Sequence, residues 1–477
     1  MTTRYVEARL ESNEFDCESL QIHKIVGEET LSQLFHFEVE VVSTAQFKLE
    51  DSAVTGASVS IVFLRDGFEI RKIHGMVSEF WQDINAEVDD AHVYRMMVVP
   101  RVARMKLVET QEIFLEMTVP EIISQKLESI GFSGADFEMR LSGTYPKRDF
   151  VVQYKESDFA FVCRLAEHLG IGFSFDHEGG VDKLVWSDAQ DAFPQLPPVT
   201  VRPRGERMDV YSLESRSKII PAVYVVQDYN YRTPQVPLSE TSELPDAFGG
   251  GVVEYGGHFK TPAEGQILAS VRGEERQVER MVFTGESDLP GLSCGRRVML
   301  SGKRMDDVLL LSVKHDAAFP TTIHGASGAE VHYKNSFRAI PVAHTYRPPR
   351  TTPRPKIFGL VNAIVEHRIE NGTKRFAVLD ESGRYTLRFF FDTADHPTKQ
   401  SKVIRMLQPH AGTNYGMHFP LKPGVEVLVG FVDGDPDRPI IVGSTYRPDT
   451  PNPVADWNHS INKLKSESGV FIEFRDY

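Results

Sequence analysis

Short stretches of alternating apolar and polar residues dominate the first 115 residues. Residues 34–42 (LFHFEVEVV) repeat with a period of two, and residues 59–64, 68–77 and 93–100 add aromatic and β-branched runs. A period of two places every second side chain on the same face of a strand. The pattern therefore predicts an all-β structure over residues 1–115, either a β-barrel or one half of a β-sandwich.

Two segments with helical spacing interrupt this β pattern. Thr118 and Glu121 form a capping-box pair ahead of an apolar helix face, and a second apolar face begins near residue 157 and stops at Gly170. A hairpin pattern follows at residues 171–186, and the Pro/Gly-rich stretches after it predict loops. We therefore predict an α+β insertion with connecting loops over residues 116–254.

Strand patterns return after a helix that begins near Thr261. They predict a second β-barrel over residues 255–345, and its similar strand density suggests that the two barrels are related. Residues 346–355 (YRPPRTTPRP) contain four prolines, which no helix interior can hold. This stretch is predicted to be a semi-rigid linker and a domain boundary.

The C-terminal part again has short β-rich runs separated by turns. About five or six strands over residues 356–450 fit a small OB-fold barrel. The best-defined strands flank a Gly/Asp/Pro turn at residues 434–439. Residues 451–477 are predicted to be a linker followed by the start of a further alternating strand. The fold class is therefore mainly β, with an α+β insertion.

Composition excludes several classes of protein. The formal net charge of -14 argues against general nucleic-acid binding, which needs a surplus of Lys and Arg. The three cysteines, Cys17, Cys163 and Cys294, form no CxxC pair and indicate small core residues in a reducing compartment. The N-terminus lacks the apolar core of a signal peptide, and no run of about 20 apolar residues predicts a membrane span.

Two carboxylates in the turn at residues 434–439 are the first candidates for chemistry. Asp435 and Asp437 could form the pair that glycoside hydrolysis requires, but that mechanism needs one carboxyl group in an apolar site that raises its pKa. An Asp-Pro-Asp sequence also suits a turn, because Pro436 fixes one φ angle and the Asp side chains can bond nearby backbone amides. We therefore interpret both residues as solvated turn-formers.

The remaining candidates have weaker patterns. Gly170 and Gly172 lack the further glycine of a dinucleotide motif, and residues 389–391 (three phenylalanines) must place at least one ring inward, which weakens a stacking platform. A trimer axis could still assemble a metal site from one residue per chain. We predict no catalytic, cofactor-binding or metal-ligating residue and no enzymatic activity. Four histidines of the C-terminal half show no common ligand spacing: His315, His324, His332 and His344.

Six stretches resemble one protein family and occur in its order. The chain resembles the VgrG-type spike proteins of type VI secretion systems, which are related to phage tail baseplate hubs. The matching stretches are residues 29–43 (ETLSQLFHFEVEVVS), 73–80 (IHGMVSEF), 150–178 (FVVQYKESDFAFVCRLAEHLGIGFSFDHE), 337–359 (FRAIPVAHTYRPPRTTPRPKIFG), 420–447 (PLKPGVEVLVGFVDGDPDRPIIVGSTYR) and 468–477 (SGVFIEFRDY).

The resemblance implies a homotrimeric hub and spike. Two tube-like barrels per chain would form a ring that matches a hexameric Hcp-type tube, and the OB-fold would connect the hub to a β-helical stalk. Baseplate components, a PAAR-type tip and effectors are the implied partners. The protein would be cytoplasmic before firing and would then be injected through the apparatus. Nucleic acid is not an expected partner.

The sequence departs from the family at several places. Residues 385–392 (YTLRFFFD) lack the tryptophan usual in that strand, and residues 409–420 (PHAGTNYGMHFP) replace a tryptophan- and glycine-rich stretch. The valine- and glycine-rich repeats of a stalk are absent, so the chain is expected to be part of a longer protein or a short member. Two alternatives remain open, a cell-wall-degrading glycoside hydrolase hub and an OB-fold glycan-binding module.

Overall fold

The computed structural model describes residues 6–44, 47–82, 91–205, 208–303, 305–321, 331–366, 379–393 and 401–476. Contacts divide the chain into two compact units. Unit 1 comprises Met1–Val108, Ile123–Tyr145 and Phe159–Pro353, and unit 2 comprises Glu109–Ile122, Pro146–Asp158 and Arg354–Tyr477. The C-terminal unit therefore includes Glu109–Ile122, which crosses the predicted boundary at residue 115, and Pro146–Asp158 of the predicted α+β insertion.

The N-terminal part of unit 1 consists of antiparallel strands and one short helix, followed by a 3-10 helix at Arg101–Leu107. The strands pair in the order β1-β4-β5-β6-β3-β2. Phe37, Val39 and Val41 alternate along β3 and are fully buried, which confirms the period-two prediction. The elements are β1 (Val6–Glu11), β2 (Gln21–Thr30), β3 (His36–Thr44), α1 (Asp51–Val54), β4 (Ser58–Arg65), β5 (Phe68–Gln82) and β6 (Ala91–Val99).

The middle of the chain mixes helices and strands, as predicted. Within unit 1 it forms two three-stranded sheets, β10-β11-β8 and β15-β14-β16, and α4 packs against the second. The elements are β7 (Glu109–Phe114), α2 (Val119–Ser129), β8 (Phe137–Arg140), β9 (Val151–Ser157), α3 (Asp158–His168), β10 (Gly172–Asp176), β11 (Lys183–Ser187), a 3-10 helix (Gln190–Ala192), β12 (Val199–Thr200), β13 (Val210–Ser217), β14 (Val223–Asp228), β15 (Leu238–Glu243), β16 (Gly251–Tyr255) and α4 (Pro262–Val278).

The predicted helix ends are confirmed by their hydrogen bonds. The Glu121 N–H donates to Thr118 Oγ1 at 3.3 Å, and the Thr118 N–H donates to Glu121 Oε2 at 2.7 Å. This reciprocal pair satisfies backbone donors that the first turn leaves unpaired. After α3, Gly170 has a φ of +70°, a left-handed conformation that suits glycine and stops the helix.

The second strand group of unit 1 joins the first in one sheet. It comprises β17 (Met281–Ser287), β18 (Arg297–Ser301), β19 (Met305–Ala318) and β20 (His332–Pro341). The sheet has twelve strands, and β19 pairs with β2 from Ser312 opposite Thr30 to Ala318 opposite Lys24, a pairing termed the seam below. The sheet has two apolar clusters, one around Phe37, which also includes Ala317 and Tyr333 of the second group, and one around Phe337.

The two strand groups use the same pairing of glycine with phenylalanine. Gly27 lies opposite Phe37, and a Cβ on Gly27 would meet the Phe37 ring at 2.1 Å. Gly285 lies opposite Phe337, and a Cβ there would meet that ring at 2.3 Å. In both places a buried ring fills the space that a side chain would need. This repetition supports the predicted relationship between the two β-rich regions.

Unit 2 contains a five-stranded sheet in the order β23-β22-β21-β26-β27, in agreement with the predicted OB-fold. A strand expected near residues 375–380 lies largely outside the described residues. The elements are β21 (Val361–Val365), β22 (Tyr385–Phe389), β23 (Val403–Ile404), β24 (Ala411–Gly412), β25 (Tyr415–Gly416), β26 (Glu426–Phe431), a 3-10 helix (Val432–Gly434), β27 (Pro439–Thr445), a 3-10 helix (Asp456–Asn458), β28 (Ile461–Lys465) and β29 (Phe471–Arg475).

The core of unit 2 includes residues from the predicted α+β insertion. β7 and β9 form an antiparallel pair, and Ile113, Phe150 and Val152 share an apolar cluster with Val427 and Val429 of β26. The sequence pattern did not reveal this association, because more than 200 residues separate the two segments. The predicted boundaries at residues 115 and 254 remain predictions.

Candidate functional site

The hairpin of β28 and β29 has one exposed apolar face. Leu464 lies opposite Ile472, and Phe474 lies opposite Asn462 on the same face. Ile472 is 57% exposed and Phe474 is 63% exposed, and Val470 extends the face toward the turn. We call the four side chains Leu464, Val470, Ile472 and Phe474 the hairpin face. A two-stranded hairpin is marginally stable by itself, so such a face is suited to association.

The opposite side of this hairpin carries an ion pair and most of the charged residues, together with Phe471, which is 55% exposed. The Lys463 ammonium donates to Glu473 Oε2 at 2.9 Å and also lies over the Phe471 ring. The Lys463 hydrogen bond lowers the pKa of Glu473, so this pair is charged at neutral pH. The hairpin is therefore amphipathic. The sequence predicted only its second strand, although the alternation in residues 461–465 (INKLK) is a signal for the first.

A buried ion cluster lies at the seam of unit 1. Arg71 of β5 donates to both oxygens of Glu29 in β2, at 2.7 and 2.6 Å. His315 of β19 lies 2.8 Å from Glu29 Oε1 through Nε2 and 2.7 Å from the Tyr333 hydroxyl through Nδ1. Asn335 of β20 donates to the Tyr333 oxygen at 3.2 Å. Four strands thus contribute to one hydrogen-bond network.

The charge state of this cluster follows from its contacts. Burial alone would raise the pKa of Glu29, but the Arg71 charge and the His315 hydrogen bond outweigh it and hold that pKa at about 2. For His315, burial has the larger effect and lowers the pKa despite the adjacent carboxylate. At neutral pH the cluster therefore holds one carboxylate, one guanidinium and a neutral imidazole.

A cavity of about 400 Å³ borders this cluster. Arg71 lies in its wall, together with His74 of β5 and His177, which follows β10. The His74 N–H donates to His177 Nδ1 at 3.1 Å. Apolar side chains and further charged residues complete the lining: Ile70, Phe175, Leu196, Glu69, Lys72, Glu178 and Arg296. The cavity therefore brings polar groups close to an otherwise buried ion pair.

Residues 346–353 of the predicted linker are bound along unit 1. The Tyr346 hydroxyl is buried and donates to Leu31 O at 3.3 Å. The residues after it make ion pairs or charged hydrogen bonds: Arg347 with Glu274 at 2.6 Å, Arg350 with Glu254 at 2.9 Å and Thr352 with Glu167 at 2.7 Å. The prolines exclude a helix, as expected, but the segment is anchored rather than free.

The structure corrects the expected environment of the Asp-Pro-Asp turn. Asp435 and Asp437 are buried, at 9% and 7% exposure, and are not solvated. Asp435 Oδ1 accepts from the Asp437 N–H at 3.0 Å, which agrees with a turn-forming role. Asp437 Oδ1 accepts from the Val152 N–H at 2.8 Å, and Arg354 lies within ion-pair distance of both carboxylates. Asp437 therefore attaches β9 to the OB sheet.

Replacing Asp437 with alanine is expected to destabilise unit 2 by about 2 kcal/mol, because the buried Val152 N–H loses its acceptor. Hydrogen exchange of peptides covering β9 and β26 would measure the change. Asp449→Ala is the control, since Asp449 is 68% exposed in its side chain and pairs with Arg447 at the surface. Equal protection of β9 in both variants would contradict the assigned role.

The histidines and cysteines singled out in the sequence occupy separate places. His315 and His332 contact different carboxylates, Glu29 and Asp316, and His344 is half-buried. His324 lies outside the described residues. Of the three cysteines, Cys163 and Cys294 are buried, as predicted for small core residues, whereas Cys17 is only partly buried.

The phenylalanine run at residues 389–391 and the glycine pair also have structural positions. Phe389 is buried, Phe391 packs against it with ring centroids 5.0 Å apart, and Phe390 is 53% exposed. The rings of Phe389 and Phe391 therefore point inward, which agrees with the prediction that at least one of the three would do so. Gly172 lies in β10 next to the Tyr346 ring. The predicted absence of catalytic, cofactor and metal residues remains a prediction.

Comparison with known families identifies the two main regions. Residues 28–320 match the family described as "Phage tail baseplate hub (GPD)", and this match covers more than half of the chain. The chain belongs to the phage tail baseplate hub family. Residues 377–446 match the family described as "Type VI secretion system/phage-baseplate injector OB domain". The hub match includes all the seam residues of β19 and the end of β2 from residue 28, and the OB match covers most of the five-stranded sheet.

Individual relatives of this hub-family chain are spike proteins. It is 30% identical over 451 residues to the type VI secretion system spike protein VgrG1b of Pseudomonas aeruginosa, covering 90% of this chain and 59% of that protein. It is 29% identical over 462 residues to the actin cross-linking toxin VgrG1 of Vibrio cholerae, covering 90% of this chain and 40% of that protein. The chain thus spans about half the length of these relatives.

Solved structures show the same hub fold. The Escherichia coli c3393 protein, a type VI secretion component described as similar to the T4 phage tail proteins gp27 and gp5, has a TM-score of 0.68 at 22% identity, covering 92% of this chain and all of that one. A VgrG complex with PdpA from Francisella has a TM-score of 0.62 at 9% identity, covering 99% and 83%. In the described part of the chain no helix is long and apolar enough to cross a membrane.

Proposed function

We propose that this chain is the structural hub and spike component of a contractile injection machine of the type VI secretion kind. Two findings support this role: the chain belongs to the baseplate hub family, and it is 30% identical in sequence to the VgrG1b spike protein over 451 residues. The protein would cap the inner tube, take part in puncture of the target membrane and carry effectors. It would do so mechanically, without catalysis of its own.

The observation that carries the proposal is the hairpin face. Four large apolar side chains lie exposed on one side of an isolated two-stranded hairpin, while the other side is occupied by the Lys463–Glu473 pair. Three copies of this face around a common axis would bury one another, since a closed rotational assembly brings the same surface of each chain together. We therefore propose a homotrimer in which the hairpin face lies on the axis.

The remaining partners are proposed from the family alone. The two strand groups of unit 1 would form the ring that meets a hexameric Hcp-type tube, and baseplate components would surround it. A PAAR-type tip and effectors would be carried through a stalk that follows the OB-fold. The protein would be cytoplasmic until firing and would then leave the cell through the apparatus.

Light scattering of the purified chain, coupled to size exclusion, tests the association. The unchanged chain is expected to have three times the mass of one 53.8 kDa chain. The double variant Ile472→Asp with Phe474→Asp is expected to be monomeric, because its two carboxylates per chain would bring six carboxylates together in an apolar contact. Circular dichroism would verify that the strands persist.

Lys465→Asp is the matched control, because Lys465 lies on the opposite side of the same hairpin. This variant is expected to remain trimeric. A monomeric unchanged chain would count against the hub proposal, and a trimer that survives the double variant would place the contact elsewhere than the hairpin face.

A further inference from the structure

The ion cluster occupies the only region where strands of the two groups pair directly within the twelve-stranded sheet as described. Glu29 belongs to β2 and His315 to β19, the two strands of the seam. Their hydrogen bond therefore links the strand groups through side chains as well as through the backbone. Any change in the charge of either residue acts directly on the contact between the two groups.

The proton positions in the cluster follow from its donors and acceptors. A carboxylate only accepts, so the His315 Nε2 atom next to Glu29 must carry a hydrogen. The neutral ring then has an unprotonated Nδ1, which accepts from the Tyr333 hydroxyl at 2.7 Å. Tyr333 in turn accepts from Asn335. The bond from the Tyr333 hydroxyl to Nδ1 therefore depends on His315 being neutral, whereas the bonds from Nε2 to Glu29 and from Asn335 to Tyr333 do not.

Adding a proton to His315 breaks this arrangement. Nδ1 becomes a donor and faces the Tyr333 O–H, so that the hydroxyl must turn its hydrogen elsewhere within a buried site. The ring also becomes a second cation beside Arg71, while Glu29 is the one carboxylate that contacts both. A buried site of this kind disfavours the extra charge strongly.

We propose that His315 is a proton-sensitive latch that keeps the seam closed at neutral pH and lets it open in an acidic compartment. The ligand of this site is the proton itself. This inference does not depend on the proposed role in injection. It adds to that role the expectation that the two strand groups of the hub region separate at acidic pH.

Charged and titratable groups face the latch from each neighbouring element. Glu29 comes from β2, Arg71 from β5 and Tyr333 from β20, and the Phe37 ring of β3 covers the imidazole at a centroid distance of 5.5 Å. Further groups contribute from a greater distance: Cys294 and Asp288 from the loops, and His74 and His177 from the cavity. Arg71 also lines the cavity, so the cavity borders the cluster at this residue.

The direction of the pH effect follows from linkage. The pKa of His315 is lowered in the folded chain, so the opened state takes up the proton first as the pH falls below about 6.5, the ordinary value for histidine. His74 and His177 have lowered pKa values as well and act in the same direction. The depressed pKa of Glu29 extends the loss of stability at lower pH, as the pH falls from 4.5 toward about 2.

Hydrogen exchange of the full chain between pH 7.5 and 5 tests the latch. After correction for intrinsic exchange, the amides of β2 and β19 at the seam are expected to lose protection about tenfold or more for each pH unit below about 6.5, since opening takes up one proton at His315 and more where His74 and His177 also titrate. Amides of the β14–β15 pair are the internal reference and are expected to keep their protection. His315→Gln is expected to reduce this pH dependence by about tenfold per pH unit and to leave only the part due to His74 and His177, because glutamine keeps one donor for Glu29 and one acceptor for Tyr333 without titrating.

His36→Gln is the matched control, since His36 is exposed on β3, and it is expected to leave the pH response unchanged. If His315→Gln does not fold, the ring nitrogens of His315 in the unchanged chain give the answer by NMR. They are expected to report a neutral ring with Nε2 protonated until the seam amides lose protection. An unchanged pH response in His315→Gln, or a charged His315 ring in a closed seam, would overturn the proposal.

Discussion

Replacing Glu29 with alanine is expected to lower the free energy of unfolding of unit 1 by about 3–5 kcal/mol, the cost of breaking a buried ion pair from one side. Arg71 is only 9% exposed in its side chain and would keep its charge without the carboxylate that accepts two of its hydrogen bonds. His315 would lose its acceptor at the same time. The variant therefore removes the shared acceptor and leaves the Arg71 and His315 side chains buried without it.

Urea unfolding followed by tryptophan fluorescence would measure this loss. Trp186 belongs to unit 1 and is 1% exposed, so its fluorescence is expected to change when unit 1 unfolds. Glu28→Ala is a closely matched control. Glu28 precedes Glu29 on β2 and pairs across the seam with Lys314 at 3.4 Å, but Lys314 is 63% exposed and Glu28 is 33% exposed in their side chains, so this pair is far less buried than the cluster. We expect less than about 1 kcal/mol from that variant. Similar losses in the two variants would show that the buried cluster has no special importance.

Gly27→Val is expected to destabilise unit 1 by about 3 kcal/mol, the upper end of the range for overpacking. Even a Cβ at this position would lie 2.1 Å from Phe37 Cδ1 and 2.4 Å from Cε1, and Phe37 is fully buried in the N-terminal cluster. The ring cannot move away without displacing its neighbours. The same urea experiment would measure the effect.

A second substitution tests the cause of that loss. Phe37→Ala should destabilise the chain by itself, but combined with Gly27→Val it should cost less than the sum of the two, because the valine can occupy the vacated space. Gly443→Val is the control, since Gly443 lies in β27 with no atom within 4 Å of its ideal Cβ, and it should be nearly neutral. Strict additivity of the first pair would refute the steric explanation.

Glu29 and Gly27 lie on the same strand and make different contacts. The glycine admits the Phe37 ring into the apolar core, whereas the carboxylate holds Arg71 and His315. Strand β2 therefore has a tightly packed contact with β3 and a buried charge cluster at the seam with β19. This combination accounts for strong pairing at neutral pH together with the sensitivity to acid that we propose.

Local sequence patterns were enough to establish the main elements and the family. The period-two strands of residues 34–42 and the Thr118–Glu121 capping box were predicted correctly, because they depend on neighbours two or three residues away. The order of motifs along the chain was sufficient to indicate the hub and OB regions, which the family matches confirm.

Which distant residues meet depends on the tertiary fold. Glu29 and His315 are 286 positions apart, and Val152 and Asp437 are 285 apart, and no local pattern relates the members of either pair. Their contacts arise from strand order and register, which also bury an Asp-Pro-Asp turn that local reasoning places in solvent. Local patterns specify a strand and its apolar face, but the partner of that face depends on how the whole chain minimises exposed apolar surface and unpaired polar groups.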